Sequence, residues 1–366
     1  DNRQRIMLWA GAKPDIFEIY KTDFNAEAYT LVMNHRSAPK LLEIQKIANN
    51  YLQDVPFSPV ANSKWAEDEG VAEIWYFKDS ITEAEHIAER IAHLISQHQI
   101  SPRDICIIVK QTVQKFTDEI NIALGQRDIQ FRNEANFQDL LKEDIVILIL
   151  NTLKSALDTK DSNAWAFIWN AKIFFEGKSC TVNIHSIDEL KRQLKIKLKI
   201  VKERLHAITY LEELDILLTD IVSYYDINKI RKHYPQYSQG DYINKLREEL
   251  TKYLFQYYVT KREWIPAIDS FHGYDSIPIM TAHKSKGLEF EVVFFVGFDD
   301  NSFWAFSSQE EEDTCTFFVG LSRSKKYLYF TFSENRFGEI RTRDNIAPLY
   351  QILKESKIVE DRKSTR

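Results

Sequence analysis

Met280-Thr281-Ala282-His283-Lys284-Ser285-Lys286-Gly287-Leu288-Glu289-Phe290 and, further on, Phe318-Val319-Gly320-Leu321-Ser322-Arg323-Ser324-Lys325-Lys326 decide how this chain is read. The first stretch is an apolar strand that enters a polar loop bearing Lys and Gly and leaves it as a second apolar strand. The second sets one arginine among small residues on an apolar segment. Its guanidinium can therefore leave a packed surface at a fixed angle, and a planar, permanently charged fork held that way suits a phosphate oxygen.

Outward from these stretches the pattern alternates. Residues 29–34 read as a strand, 38–52 as an amphipathic helix, 71–77 as a strand and 82–97 as a helix. Residues 104–109 read as a buried strand bounded by Pro102 and Lys110. A helix over 112–124 ends at Gly125, a C-cap candidate, and leads to a short strand at 129–132. Residues 137–157 read as one long helical stretch. Further strands are expected at 277–282, 291–296 and 327–332, with 314–326 helical. Such alternation implies a parallel sheet flanked by helices.

Between about 160 and 274 the strand pattern disappears, and 186–206, 210–225 and 241–258 read as helices. The first of these has a basic polar face: Lys191, Arg192, Lys195, Lys197, Lys199, Lys202 and Arg204. A solvated face is the ordinary reading of such a run. Contact with duplex DNA or a partner protein is the alternative.

The chain has 366 residues, 44% apolar and 13% aromatic, enough for a sizeable core and for two or more domains. Its net charge of −6 gives no global electrostatic case for nucleic acid, so any such affinity needs a local basic or aromatic track. The three cysteines, Cys106, Cys180 and Cys315, fall in no metal-ligand spacing, which fits free thiols in a reducing cytoplasm. No metal site is expected. The longest apolar runs are far too short to span a bilayer, and no membrane partner is expected.

The two opening stretches resemble the fifth and sixth motifs of UvrD/Rep/PcrA-type superfamily 1 DNA helicases. Residues 1–12, Asp1-Asn2-Arg3-Gln4-Arg5-Ile6-Met7-Leu8-Trp9-Ala10-Gly11-Ala12, resemble the third motif. Leu31-Val32-Met33-Asn34-His35-Arg36-Ser37 resembles the fourth. Third to sixth occur in the family's order. The resemblance implies a divergent member and its C-terminal half. The implied fold class is α/β: a RecA-like parallel sheet flanked by helices, P-loop NTPase-like but lacking the P-loop, interrupted by an all-α insertion. The implied divisions are 1–28, a remnant of the preceding motor domain, 29–157 and 276–366, the two parts of the 2A domain, and 158–275, a 2B-like helical insertion.

Hydrolysing a nucleoside triphosphate needs a Gly-rich phosphate loop with Lys and an acidic pair for Mg²⁺. The only Gly-Lys-Ser, Gly177-Lys178-Ser179, has Lys172 five residues before Gly177 where a glycine is required, and reads as a surface turn. Asp299-Asp300, after an apolar run, reads as a solvated strand end. ATP with Mg²⁺ is therefore expected to bind mainly on a preceding half, and this segment alone is not expected to hydrolyse it.

Carried over by position, the resemblance gives Arg36 and Arg323 as the arginines that reach the γ-phosphate. Glu289 would accept hydrogen bonds from the ribose, Gln4 would sense the γ-phosphate, and Gly287 would let the backbone approach phosphate. Thr281, His283 and Lys286 would couple nucleotide to DNA phosphates, and Trp9 would stack on a base. An ordinary salt bridge is the alternative for each arginine, and satisfying a backbone carbonyl the alternative for His283. The motif's usual Ser, Tyr and Arg stand here as Arg5, Met7 and Ala10, which weakens the stacking platform around Trp9. The implied activity is ATP-dependent 3′–5′ DNA helicase on single-stranded DNA, in the cytoplasm, with duplex DNA a candidate partner of the insertion. The alternative is a non-catalytic DNA-binding or protein-docking module derived from a helicase.

Overall fold

The computed structural model describes residues 6, 11, 13, 15–27, 29, 31–52, 59–177 and 184–363. They divide into two compact units: one holds residues 1–134 and 275–366, the other Ala135–Tyr274.

The first unit is built on a sheet of β3 (Val71–Asp79), β4 (Ile105–Val109), β5 (Gln130–Asn133), β6 (Ser276–Thr281), β7 (Phe290–Val296), β8 (Ser324–Arg336) and β10 (Glu360–Lys363). Their order is β10-β3-β8-β7-β4-β6-β5, with every neighbouring pair parallel. One short antiparallel strand, β9 (Glu339–Ile340), folds back on β8. A further pair, β1 (Met33–Asn34) and β2 (Val60–Ala61), stands apart from this sheet.

Period-2 alternation explains why the strands read as unbroken apolar runs. Cys106, Ile108, Val293, Phe295, Leu328 and Phe330 point to one face. They meet α2 (Pro39–Leu52), α12 (Glu310–Leu321) and α13 (Ala347–Glu355) through Leu41, Ile44, Phe317 and Ile352. Ile105, Ile107, Val109, Phe294 and Tyr329 point to the other. There they pack on α3 (Ser80–His98) and α4 (Thr117–Gly125) through Ile87, Ile91, Leu94, Ile120 and Leu124. Both faces are covered, so neither can be polar. The expected α/β class with a helix-flanked parallel sheet is what the unit contains. Helix α1 (Ile16–Phe24) buries none of its residues.

The second unit is all-helical: α5 (Asp144–Leu157), α6 (Ser162–Phe175), α7 (Ile184–Ala207), α8 (Leu211–Tyr224), α9 (Ile227–His233), α10 (Tyr242–Lys261) and α11 (Trp264–His272). Helix α5 is its centre, with Ile145, Val146, Leu148, Ile149, Leu150 and Leu153 in one core. Trp264 stacks on Tyr258 at 3.8 Å and donates Nε1–H to Leu205 O.

Several expectations change. The helical unit begins at Ala135, not 158, because the side chains of α5 join the insertion's core rather than the sheet's. The strand expected at 29–34 shrinks to Met33–Asn34, with Tyr29 and Leu31 exposed. Residues 112–124 split into a 3-10 turn at Val113–Phe116 followed by α4. Gly125 lies within that helix, and the left-handed residue is Asp128 at φ 55°. Residues 137–157 divide into a 3-10 turn at Leu140–Lys142 and α5. The helix expected over 314–326 stops at Leu321. Phe290 N–H bonds Arg323 O and draws the chain into β8. Helices α6, α9, α11 and α13 and strand β10 were not anticipated.

Asp299-Asp300 is not solvated: the two side chains belong to residues only 1% and 7% exposed. Asp300 accepts from Thr342 Oγ1 and from the N–H groups of Asp344, Asn345 and Ile346, fixing the segment that opens α13. Asp299 accepts from Ser302 N–H, and burial pushes its carboxyl above the usual range. Among the described residues no helix is long and apolar enough to cross a membrane.

Candidate nucleotide and nucleic-acid site

The fourth motif, the last residues of the fifth and the sixth meet at the amino ends of β7 and β8, whereas Thr281, near the start of the fifth, closes β6 level with Val109 and Val296 at the opposite end of the sheet. The turn Asn34–Ser37 is shaped by Asn34, whose Oδ1 accepts from the N–H groups of Arg36 and Ser37 at 2.9 Å. Ser37 Oγ donates to Ser324 O and accepts from Gln45 Nε2, and Ala38 N–H bonds Lys325 O. The turn is thereby pinned to the first residues of β8. Asn34 and Ser37 were read from the sequence only as members of the fourth motif and Gln45 not at all, although an Asx-type turn is a legible signal.

Arg36 leaves this turn with two bonds: Nε to Glu289 Oε2 and Nη1 to Ser322 O, each 2.9 Å. Glu289 also meets Lys325 Nζ at 3.1 Å. The two cations, Arg36 first, hold its carboxyl below the usual range. Arg323 is only 1% exposed. Its Nε donates to Val319 O, Nη1 to Leu288 O and Nη2 to Ser322 Oγ. Among the described residues no carboxylate pairs with it. Burial, with the nearby Arg36 charge adding to it, pushes the Arg323 guanidinium down to about 10. The carbonyls of Val319 in α12 and of Leu288 before β7 orient this cation without neutralising it.

The fifth motif is a run of tight turns. Ser285 N–H bonds Thr281 O, Leu288 N–H bonds Ser285 O, and Thr281 Oγ1 accepts from Lys284 N–H. Gly287 sits at φ +90° with open space where a Cβ would be, and Lys286 is exposed. His283 Nε2 lies 2.9 Å from Ile6 O, the carbonyl-satisfying alternative. Arg36, Glu289 and Arg323 are thus brought together, with Gly287 close by in sequence to Glu289. Gln4 and Trp9 lie outside the described residues.

A second concave surface lies at the carboxyl end of β8. Its lining includes Thr112, Lys115, Arg336, Phe337 and Arg341 around about 120 Å³. Phe337 and Gly338 form the two-residue turn between β8 and β9, both at positive φ, as a type I′ hairpin requires. Holding a bulky Phe at φ 55° with 54% exposure is strained, and such strain gathers at ligand sites. Arg336 pairs with buried Glu83, and the Nε atoms of Arg336 and Arg341 are buried without a hydrogen-bond partner among the described residues. The sequence reading missed this surface. A Phe-Gly pair directly after a strand was the signal. Among the described residues no group of three or more His, Cys, Asp or Glu is placed to hold a metal ion.

Comparison with known proteins identifies the family. The family model described as the UvrD-like helicase C-terminal domain matches residues 29–264 and 227–335. A probable DNA helicase II homolog of Rickettsia conorii is 25% identical over 389 residues, covering 92% of this chain and 56% of the relative. The ATP-dependent DNA helicase Rep of Salmonella typhimurium is 25% identical, covering 93% and 56%. That of Buchnera aphidicola subsp. Schizaphis graminum is 23% identical, covering 92% and 57%. The chain spans about half the length of these relatives. With four helicase-like motifs in order and a family model that matches most of its length, the chain belongs to the UvrD-like helicase C-terminal domain family.

Proposed function

We propose that this chain is the C-terminal motor half of an ATP-dependent 3′–5′ DNA helicase. The observation that carries the reading is the meeting of Arg36, Glu289 and Arg323 at the starts of two adjacent strands. ATP supplies a γ-phosphoryl group whose charge shifts during hydrolysis, with Mg²⁺ held on another motor half. Arg323, uncompensated and nearly dry, would meet that charge when it gives up its carbonyl bonds. A positioned guanidinium of this kind contributes about 10³–10⁵ in rate. Arg36 would reach the same phosphate by releasing Glu289, and Glu289 would then accept from a ribose hydroxyl. Gln4 would sense the γ-phosphate, and Gly287 would allow the close approach of a phosphate.

Single-stranded DNA would run over Thr281, His283, Lys286 and Trp9. The Phe337 surface supports an added contact, since an exposed aromatic beside cations suits stacked bases and their phosphates. The cytoplasm is the proposed location. The test is DNA-stimulated ATP hydrolysis by the chain joined to a phosphate-loop half. Substituting Arg323→Ala should abolish hydrolysis while leaving DNA binding in place. Full hydrolysis by that variant would contradict the assignment. A non-catalytic docking or DNA-binding module is the second reading, favoured by the internal bonds that hold both arginines. It takes over if the adjoining half lacks the phosphate-loop Lys and the acidic pair.

A further inference from the structure

The helical unit contains a groove of about 640 Å³ walled by the end of α5, by Trp165 of α6 and by one stripe of α7. The stripe is Lys191, Lys195, Leu198 and Lys202, with Lys199 beside it. Spacings of four, three and four residues place these side chains on one helix face, over about 16 Å at 1.5 Å per residue. All four lysines are exposed, whereas Leu198 is 8% exposed and forms the apolar floor.

Two facts mark the groove as built for a ligand. Ser155 is 4% exposed and lines it, and its Oγ has no hydrogen-bond partner among the described residues. A buried hydroxyl left unpaired is unfavourable by about 1–3 kcal/mol. In addition, the arginines of α7 are engaged, Arg192 with Glu189 and Arg204 with Asp220, and Lys199 reaches Glu203 only at 3.9 Å along its own helix, while the wall opposite the groove lysines carries one carboxylate, Asp158.

We propose that this groove binds an acidic peptide segment of a partner protein, anchored by one large apolar side chain. The anchor enters between Trp165 and Leu198, a peptide polar group satisfies Ser155 Oγ, and flanking Asp or Glu side chains pair with the lysines. A phosphate track needs no apolar floor, and a stripe at helical spacing matches recognition of a segment laid along a groove. The site is separate from the nucleotide cluster and does not depend on the motor reading.

The test uses the whole chain and a fluorescein-labelled 14-residue peptide of Glu and Asp with one central Phe. Anisotropy reports binding, and Trp emission reports occupancy beside Trp165. The expected result is saturable binding with altered Trp emission. Replacing Phe by Ser in the peptide, or substituting Lys195→Gln together with Lys199→Gln, should each weaken binding at least tenfold. Ser155→Ala should weaken it several-fold. Equal affinity for the Phe and Ser peptides would overturn the proposal, as would unchanged affinity in the lysine variant. So would displacement of the peptide by a duplex or single-stranded oligonucleotide whose own binding is lost in the same variant.

Discussion

The amino and carboxyl ends of β8 both hold paired or buried arginines, but among the described residues only the carboxyl end adds an exposed aromatic. At the amino end, Arg323 is buried and held by carbonyls, and Arg36 is closed onto Glu289. At the carboxyl end, Phe337 is forced outward by its turn, and exposed Lys115 lines the hollow beside Arg341, which pairs with Glu339. Thirteen residues at about 3.3 Å each separate the ends by about 40 Å, so one stiff strand joins two different kinds of site. An internally satisfied cation acts when a ligand displaces its partners. An exposed strained aromatic acts by offering a face. Under the proposed function, the first end would meet the nucleotide and the second would add a contact to the bases of DNA.

The sharpest way to break that division is to alter one edge and read the other function. Arg323→Ala in the joined protein should lower DNA-stimulated kcat by about 10³-fold or more, with DNA affinity unchanged. An equal loss of DNA affinity would erase the distinction between edges. Phe337→Ala should do the reverse, weakening single-stranded DNA by about 1–3 kcal/mol in a fluorescence titration, with basal ATP hydrolysis intact.

Backing for the carboxyl edge can be tested by stability. A Cβ at Gly297 would stand 2.5 Å from Phe116 Cε1, and that residue has φ +71°. Gly297→Ala should therefore destabilise by about 1–3 kcal/mol in urea unfolding. A neutral result would mean that Phe116 yields freely.

How much of this was legible follows from the same residues. The buried strands β4 and β7 could be read because burial on both faces demands unbroken apolar runs. The cluster of Arg36, Glu289 and Arg323 was legible only through motif order, since no local pattern joins positions hundreds of residues apart. Asp300 was misread because its partners lie more than forty residues later. Phe337 was missed because an exposed aromatic on a turn breaks no periodicity. The long helical expectation at 137–157 ignored that α5 could serve the insertion's core, which periodicity cannot distinguish from the sheet's.

The smallest expected effect concerns pH. Arg36 and Lys325 depress the Glu289 carboxyl in the folded protein. Its contribution to stability is therefore present above the ordinary glutamate pKa and is lost as pH falls through the lower folded value. Carboxyl NMR should show Glu289 titrating below the usual range, and Lys325→Gln should move it upward. No movement would remove Lys325 from the clamp.

The central claim is that Arg36 and Arg323 act on one phosphate. A double-mutant cycle on DNA-stimulated kcat, with Arg36→Ala, Arg323→Ala and both together in the joined protein, tests it directly. Residues acting as a unit lose little more together than the worse one alone. That result is predicted here. Losses that multiply fully, or a double variant that still hydrolyses ATP at the unsubstituted rate, would contradict it.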